Sequence, residues 1–383
     1  MFADIASLVQ FVSSNQSRIF LDIFDDTNIL ETRECTMKIV CAIVIVKAPE
    51  LTDLMAGKVH VSDWTRALKI VDSVSASSVG IDMPRLLRDA RYAGQVAENL
   101  TPDMIESFYG HFLILSLNSF GCRIVQKVLD LVSPTERVEI MRRELSDRLL
   151  DVCVDVNGNH VVQKYIELAQ SRDCEFIVSK LESEPGSVIR LASHCYGCRV
   201  IQRLMTRCNA KDVEYIFDTL CATSDSIVKL SVDIFGNYVM QQVVEFGRDI
   251  DRERIGLCLA SCPDIVVLGC SKYASNVVEK CIRYQNKRRG CVMVTKLLLN
   301  SIISAADPET GEPGLLTLMK DRYGNYVVRA MIELTSVEFA RETEVVRSII
   351  AENGQMLKKF TFSWHLVERL EKLNASTDIG ADD

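Results

Sequence analysis

Phe235-Gly-Asn-Tyr-Val-Met-Gln241 and Tyr323-Gly-Asn-Tyr-Val-Val-Arg329 are one phrase written twice. Four variants of it complete a set: Phe120-Gly-Cys-Arg-Ile-Val-Gln126, Asn157-Gly-Asn-His-Val-Val-Gln163, Tyr196-Gly-Cys-Arg-Val-Ile-Gln202 and Tyr273-Ala-Ser-Asn-Val-Val-Glu279. The small residue recurs at 121, 158, 197, 236, 274 and 324, so the steps are 37, 39, 39, 38 and 50. A fixed period near 38 marks an array of units that stack on their neighbours. The single long step contains Asp307-Pro-Glu-Thr-Gly-Glu-Pro-Gly314, which reads as an exposed loop inserted before the sixth unit.

Counting from the small residue, positions three, four, seven and eight are apolar in every unit, from Ile124, Val125, Val128 and Leu129 to Val327, Val328, Met331 and Ile332. That spacing traces one face of a helix. Further amphipathic stretches lie between, such as Pro134 to Leu145 and Lys211 to Leu220. The expected fold is therefore all-α, each unit a small set of helices that buries its apolar face only by stacking.

Outward from the repeat, the composition narrows the class. Length alone, 383 residues, suggests two or three domains, but a stacked array escapes the size limit of a single core. A 48% hydrophobic content supplies ample core and excludes wholesale disorder. The longest apolar run, Val40 to Val46 between Lys38 and Lys47, falls far short of the ~20 residues of a membrane span. The opening Met-Phe-Ala-Asp4 has no basic stretch of a secretory signal. Fourteen scattered cysteines fit free thiols in a reducing intracellular compartment. The net charge of -8 argues, at first sight, against a nucleic-acid partner.

Positions one, two and five reopen that question. Position one is only Cys, Asn or Ser (Cys122, Asn159, Cys198, Asn237, Ser275, Asn325). Position two is only Arg, His, Tyr or Asn (Arg123, His160, Arg199, Tyr238, Asn276, Tyr326). Position five is Gln126, Gln163, Gln202, Gln241, then Glu279 and Arg329. Being an i, i+4 pair, positions one and five are expected together on one exposed strip. A merely soluble face would draw freely on Lys, Asp and Ala, and this one does not. Amides offer donors and acceptors to a base edge, and planar side chains can stack on bases. Among these positions Arg123, Arg199 and Arg329 stand against Glu279 alone, a local balance of +2 despite the acidic chain. The acids sit in places such as Asp22 to Asp26 and Asp378 to Asp383.

Gly-Cys-Arg-x-x-Gln, Gly-Asn-His-Val-Val-Gln-Lys, Gly-Asn-Tyr-Val-x-Gln and Ala-Ser-Asn-Val-Val-Glu-Lys resemble, in order, the third to eighth repeats of the Pumilio (PUF) family of single-stranded RNA-binding proteins. The resemblance covers roughly residues 103 to 373. It implies a right-handed α-solenoid, a crescent of three-helix repeats reading one base each on the concave face. By the family's code Cys122/Gln126 and Cys198/Gln202 take adenine, Asn159/Gln163 and Asn237/Gln241 uracil, and Ser275/Glu279 guanine. RNA runs antiparallel to the repeats in this family, so the core is expected as 5′-GUAUA-3′. The sixth repeat departs from the pattern, because Arg329 replaces an amide and has donors only; uracil, weakly held, is expected there, extending the core to 5′-UGUAUA-3′.

The expected divisions are 1-102, degenerate N-terminal repeats with an insertion; 103-343, six well-formed repeats; and 344-383, a C-terminal capping repeat and tail. Ser363-Trp-His-Leu-Val-Glu368 keeps the helical spacing without the code. Gln16 to Leu21 echoes a first repeat, and a second is expected near Pro84, where Pro84-Arg-Leu-Leu-Arg88 matches poorly. Cys195-Tyr-Gly-Cys198, beside His194, is a lone CxxC whose second Cys falls on position one, so no metal or dithiol role is assigned. His365 reads as packing or surface, Lys287 to Arg289 as a solvated basic loop, and the aromatics before each small residue as packing. No P-loop, GxGxxG or HExxH is present, so no enzyme and no cofactor is expected. The resemblance further implies an mRNA-binding, cytoplasmic, monomeric regulator with protein co-regulators on its convex face. The alternatives are a nucleolar relative of low specificity and a HEAT- or armadillo-like peptide binder.

Overall fold

The computed structural model describes residues 81–284 and 289–378. The echo at Gln16 to Leu21, the segment 30–80, the acidic run Asp22 to Asp26 and the basic pair Lys287 and Arg288 lie outside the described residues, as do residues 379–383. What is described is helical, with a single isolated bridge between Ala306 and Pro313 at the base of the inserted loop. That loop is a turn in which Asp307 Oδ1 accepts from the backbone of Glu309 and Thr310. Among the described residues no helix is long and apolar enough to cross a membrane.

The six repeated phrases form six helices: α1 Gly121–Leu131, α2 Gly158–Leu168, α3 Gly197–Arg207, α4 Gly236–Phe246, α5 Ala274–Arg283 and α6 Gly324–Ile332. Two compact units contain them. In the first, α1 packs on α2 and on the short helix Phe112–Leu117 that precedes it. The helix meeting α1 from the N-terminal direction is Ala90–Glu98, led by Met83–Leu86, in the stretch where a degenerate repeat is expected near Pro84. In the second, α3, α4, α5 and α6 pack in succession, and each of the last three also rests on its own preceding short helix: Ser224–Val232, Ile265–Cys270 and Gly314–Lys320. The stretch after Ser363 is the helix Trp364–Asp378, packed on α6 and on Ala340–Glu352.

These helices are too short to persist alone, since isolated helices under about 12–15 residues are marginal in water. Burial holds them. Positions three, four, seven and eight are buried in every repeat except at the half-buried Cys281. Each such aliphatic side chain contributes about 1.5–3 kcal/mol relative to exposure. The inter-repeat ion pairs add register more than energy: Lys164 meets Asp130 at 2.7 Å and Lys280 meets Glu245 at 2.7 Å. Both join position six of one repeat to position nine of the repeat before, and partly exposed pairs of this kind are worth roughly 0–1 kcal/mol.

One local device starts every phrase helix, and a second joins it at Gly121, Gly197, Gly236 and Gly324. The first is a side chain three residues before the small one that accepts two backbone N–H groups. Asn118 Oδ1 takes Phe120 and Gly121 at 2.9 and 3.0 Å, and Asp233 Oδ1 takes Phe235 and Gly236 at 2.9 and 2.6 Å. Asp155, Ser271 and Asp321 act alike, and in the third repeat the acceptor is His194 Nδ1, 3.2 Å from both Tyr196 and Gly197. Such caps satisfy amides that a helix start leaves unpaired. The second is the close approach of the small residue to the carbonyl of a leucine six residues earlier. A Cβ on Gly121, Gly236 or Gly324 would lie 2.6–2.7 Å from the oxygen of Leu115, Leu230 or Leu318.

The His194 cap carries a pH dependence. Burial pulls its imidazole below the ordinary 6.5, and only the neutral ring accepts at Nδ1. With the folded pKa below the unfolded one, this cap's contribution is present above the unfolded value and lost as pH falls through the folded value. The start of α3 is expected to loosen as pH drops below about 6.5, whereas His194→Asn, copying Asn118, removes that dependence. Amide exchange at Tyr196 and Gly197 near neutral and acidic pH measures it; identical pH trends in both proteins would sink the idea.

Candidate nucleic-acid interface

The phrase helices present their three polar positions unequally. Position two is exposed in all six, with Tyr238 and Tyr326 showing 51% and 49% of their surface. Position five is half-buried in five repeats and exposed at Arg329. Position one, expected on the exposed strip, is instead buried: Cys122, Asn159, Cys198, Asn237 and Ser275 are 1–5% exposed, and only Asn325 reaches the half-buried class. The reason is local. Position one lies in the first turn, where carbonyls of the preceding loop draw its side-chain donor inward.

In α2 and α4 that donor fixes the whole pair. Asn159 Nδ2 reaches the carbonyls of Asp155 and Val156 at 2.7 and 3.0 Å, and Asn237 Nδ2 those of Asp233 and Ile234 at 2.9 and 3.0 Å. Two carbonyls decide which end of each amide is nitrogen, so Oδ1 faces position five. There Gln163 Nε2 donates to Asn159 Oδ1 at 2.8 Å, and Gln241 Nε2 to Asn237 Oδ1 at 3.1 Å. Each glutamine keeps its carbonyl oxygen and its second amide hydrogen for a ligand.

The cysteine repeats differ in chemistry. Cys122 and Cys198 each donate a thiol to the carbonyl three residues back, Ser119 and Cys195, at 3.6 Å. Burial pushes both thiols up, so they remain protonated rather than nucleophilic. With no oxygen at position one, Gln126 Nε2 falls back on the Cys122 carbonyl at 3.1 Å, and Gln202 Nε2 is buried with no hydrogen-bond partner. A buried donor left unpaired costs about 1–3 kcal/mol. The Cys195–Cys198 pair thus repeats the Ser119–Cys122 arrangement. Among the described residues no group of three or more His, Cys, Asp or Glu side chains is placed to share a metal ion.

Position two offers planes. The Arg199 guanidinium lies 5.9 Å from the centre of the Tyr238 ring, the two coming from adjacent helices. Asn276 is the exception, its amide turned back to the carbonyls of Lys272 and Tyr273 at 3.0 and 3.3 Å. The aromatics before the small residues (Phe120, Tyr196, Phe235, Tyr273 and Tyr323) are half-buried, in keeping with packing. His365 is 71% exposed at the surface.

In the last two repeats position five is charged and spoken for. Arg283 Nε donates to Glu279 Oε1 at 2.7 Å, and Arg329 Nε to Glu333 Oε1 at 3.1 Å. Arg283 and Glu333 escaped the sequence reading, although each stands four residues after a position-five residue and that spacing is itself a signal. The capping residues three before each small residue were equally visible in register and equally passed over.

The Pumilio-family RNA binding repeat matches residues 111–143, 148–182, 187–221, 226–255, 264–288 and 315–340. Putative pumilio homolog 8, chloroplastic, of Arabidopsis thaliana is 28% identical over 263 residues, spanning 67% of this chain and 47% of its own. Fem-3 mRNA-binding factor 2 of Caenorhabditis elegans is 24% identical over 300 residues, spanning 69% and 46%. The chain therefore covers less than half the length of these relatives. The Puf3 RNA binding domain, solved bound to a Cox17 RNA 3′ UTR recognition sequence, gives a TM-score of 0.58 at 27% identity over 85% of this chain and 99% of that one. PUF-8 in complex with PBE-RNA gives 0.62 at 19% identity over 95% and 99%, a likeness of fold. Each matched repeat contains one of the six capped helices, in chain order, and the α-solenoid fold is shared: the chain belongs to the Pumilio family.

Proposed function

We propose that this protein binds single-stranded RNA by sequence, one base per repeat, with a core of 5′-UGUAUA-3′. The carrying observation is the contrast at position five. Gln163 and Gln241 are locked by asparagines, whereas Gln202 holds a buried donor with no protein partner. An unsatisfied buried amide awaits a ligand atom, and the exposed planes at position two suit stacking on bases at about 1–3 kcal/mol each. The names of the relatives support an mRNA target and a 3′ untranslated element. On this reading the protein acts in the cytoplasm as a monomer without chemistry of its own. It alters mRNA stability or translation through co-regulators bound elsewhere on its surface.

Selection of bound sequences from a random RNA pool tests the proposal. Enrichment of a UGUAUA-like core is expected. Binding without a consensus would favour a low-specificity role in ribosome assembly, and absence of RNA binding a peptide-binding solenoid. The salt dependence is a second check. With few cations among the reading positions, log K should fall with log salt at a slope no steeper than about −2, and a steep slope would shift the affinity from bases to phosphates.

A further inference from the structure

Glu279 and Arg329 hold position five of consecutive repeats, and three other side chains complete a network with them. Arg283 donates from Nε to Glu279 Oε1 at 2.7 Å and from Nη1 to Glu333 Oε2 at 3.0 Å. The other oxygen of Glu333 accepts from Arg329 Nε at 3.1 Å and from Arg369 Nε at 2.8 Å. The network spans α5, the end of α6 and the helix Trp364–Asp378. Its hub is enclosed: the Glu333 side chain is 13% exposed. Burial works against the charge of that carboxyl, yet its arginine partners hold it below the usual range. By contrast, Gln126, Gln163 and Gln241 donate only to position one of their own repeat.

We infer that the fifth and sixth repeats read their two bases as one unit, with Arg283 and Glu333 as positioning residues. The inference rests on the RNA reading proposed above. A base edge that draws the Glu279 carboxylate toward its own N–H groups loosens or redirects Arg283. That guanidinium shares Glu333 with Arg329, so the donors available at the sixth repeat change with it. In the other direction, a base that takes donors from Arg329 leaves Glu333 to hold Arg283 more firmly. Side chains within one ion-pair network give non-additive energies, whereas repeats joined only by apolar packing are expected to add. With three guanidinium groups against two carboxylates, the network also keeps a net positive charge beside the RNA.

The test is binding of the full chain to RNAs carrying every combination of bases at these two positions. The preference at the sixth-repeat base is expected to change at least about threefold with the identity of the fifth-repeat base. Glu333→Gln and Arg283→Met should each abolish that dependence while leaving preferences at the other four bases unchanged. Glu245→Gln, which cuts the Lys280 pair between the fourth and fifth repeats, should leave it intact. Circular dichroism checks that both variants keep their helices, and either variant alone suffices if the other fails to fold. Independent preferences in the unaltered protein would overturn the inference, as would a dependence surviving both variants, which would belong to stacking within the RNA. Loss of base preference at all six positions would instead overturn the RNA reading beneath it.

Discussion

Exchanging Ser275→Asn together with Glu279→Gln is expected to move the preference of the fifth repeat from guanine to uracil. The frame that decides it is seen in α2 and α4. In both, the asparagine at position one is pinned by carbonyls three and four residues back, and it orients the glutamine amide at position five. The fifth repeat has the same frame: Ser275 is buried, its amide bonds to the Ser271 carbonyl at 3.1 Å, and Ser271 caps the helix as Asp233 does in the fourth. An asparagine there inherits the carbonyls of Ser271 and Lys272. The carboxylate of Glu279 accepts from both N1–H and N2–H of guanine, and no other base offers that pair; the amide removes the match. Each wrong base costs about 1–3 kcal/mol, so the swing between guanine and uracil should reach about tenfold or more in each direction. Glu279→Gln alone should lose guanine without gaining uracil, because a serine cannot orient the new amide. Competition between two RNAs differing at that base reads the result, and an unchanged preference would refute the assigned register.

Gly236→Ala carries the second large effect, on stability. Its Cβ would stand 2.7 Å from the Leu230 carbonyl oxygen, 3.0 Å from Leu230 Cδ2 and 3.1 Å from Leu230 Cα. Two of the three atoms are backbone, so no rotamer change relieves the crowding. The junction between Ser224–Val232 and α4 has to open, at about 1–3 kcal/mol. Opening it also displaces the cap at Asp233 and, with it, the amide frame of Asn237 and Gln241. Gly94 is the matched control. It lies exposed inside the helix Ala90–Glu98, and a Cβ there meets nothing within 4 Å. Gly94→Ala should therefore stabilise by about 0.5–1 kcal/mol through the unfolded chain and helix propensity. Because repeat arrays unfold in parts, hydrogen exchange resolved along Ser224–Val232 and α4 measures the first change better than a single melting temperature. Equal effects at Gly94 and Gly236 would contradict the close-approach account.

The helix after Ser363 and the inserted loop are legible in the sequence for a shared reason. Trp364–Asp378 announces itself by apolar spacing and Asp307 to Gly314 by turn residues, and both signals are local. The repeat expected near Pro84 rests on spacing extrapolated from its neighbours, and its own residues do not show where its helices begin. Pro84 opens a four-residue helix, Met83–Leu86, and the helix that packs on α1 starts at Ala90. Exposure failed at position one for a different reason. Helical periodicity places Asn237 and Gln241 on one strip but is blind to the carbonyls of Asp233 and Ile234 that pull the asparagine inside.

What the sequence determined by itself was everything that repeats: the six helices, their period, their apolar faces and the residue types at positions one, two and five. Periodic burial and restricted side-chain chemistry are properties of a segment and its register, and they survive without coordinates. Only the tertiary structure decided which of those positions face outward, which end of each asparagine is nitrogen, and why glycine sits opposite a leucine carbonyl. It alone brought Arg283 to Glu333, across 50 residues, and so linked the position-five residues of the last two repeats. Those features depend on how closely neighbouring helices approach and how far long side chains reach between them, distances set by stacking rather than by any one phrase.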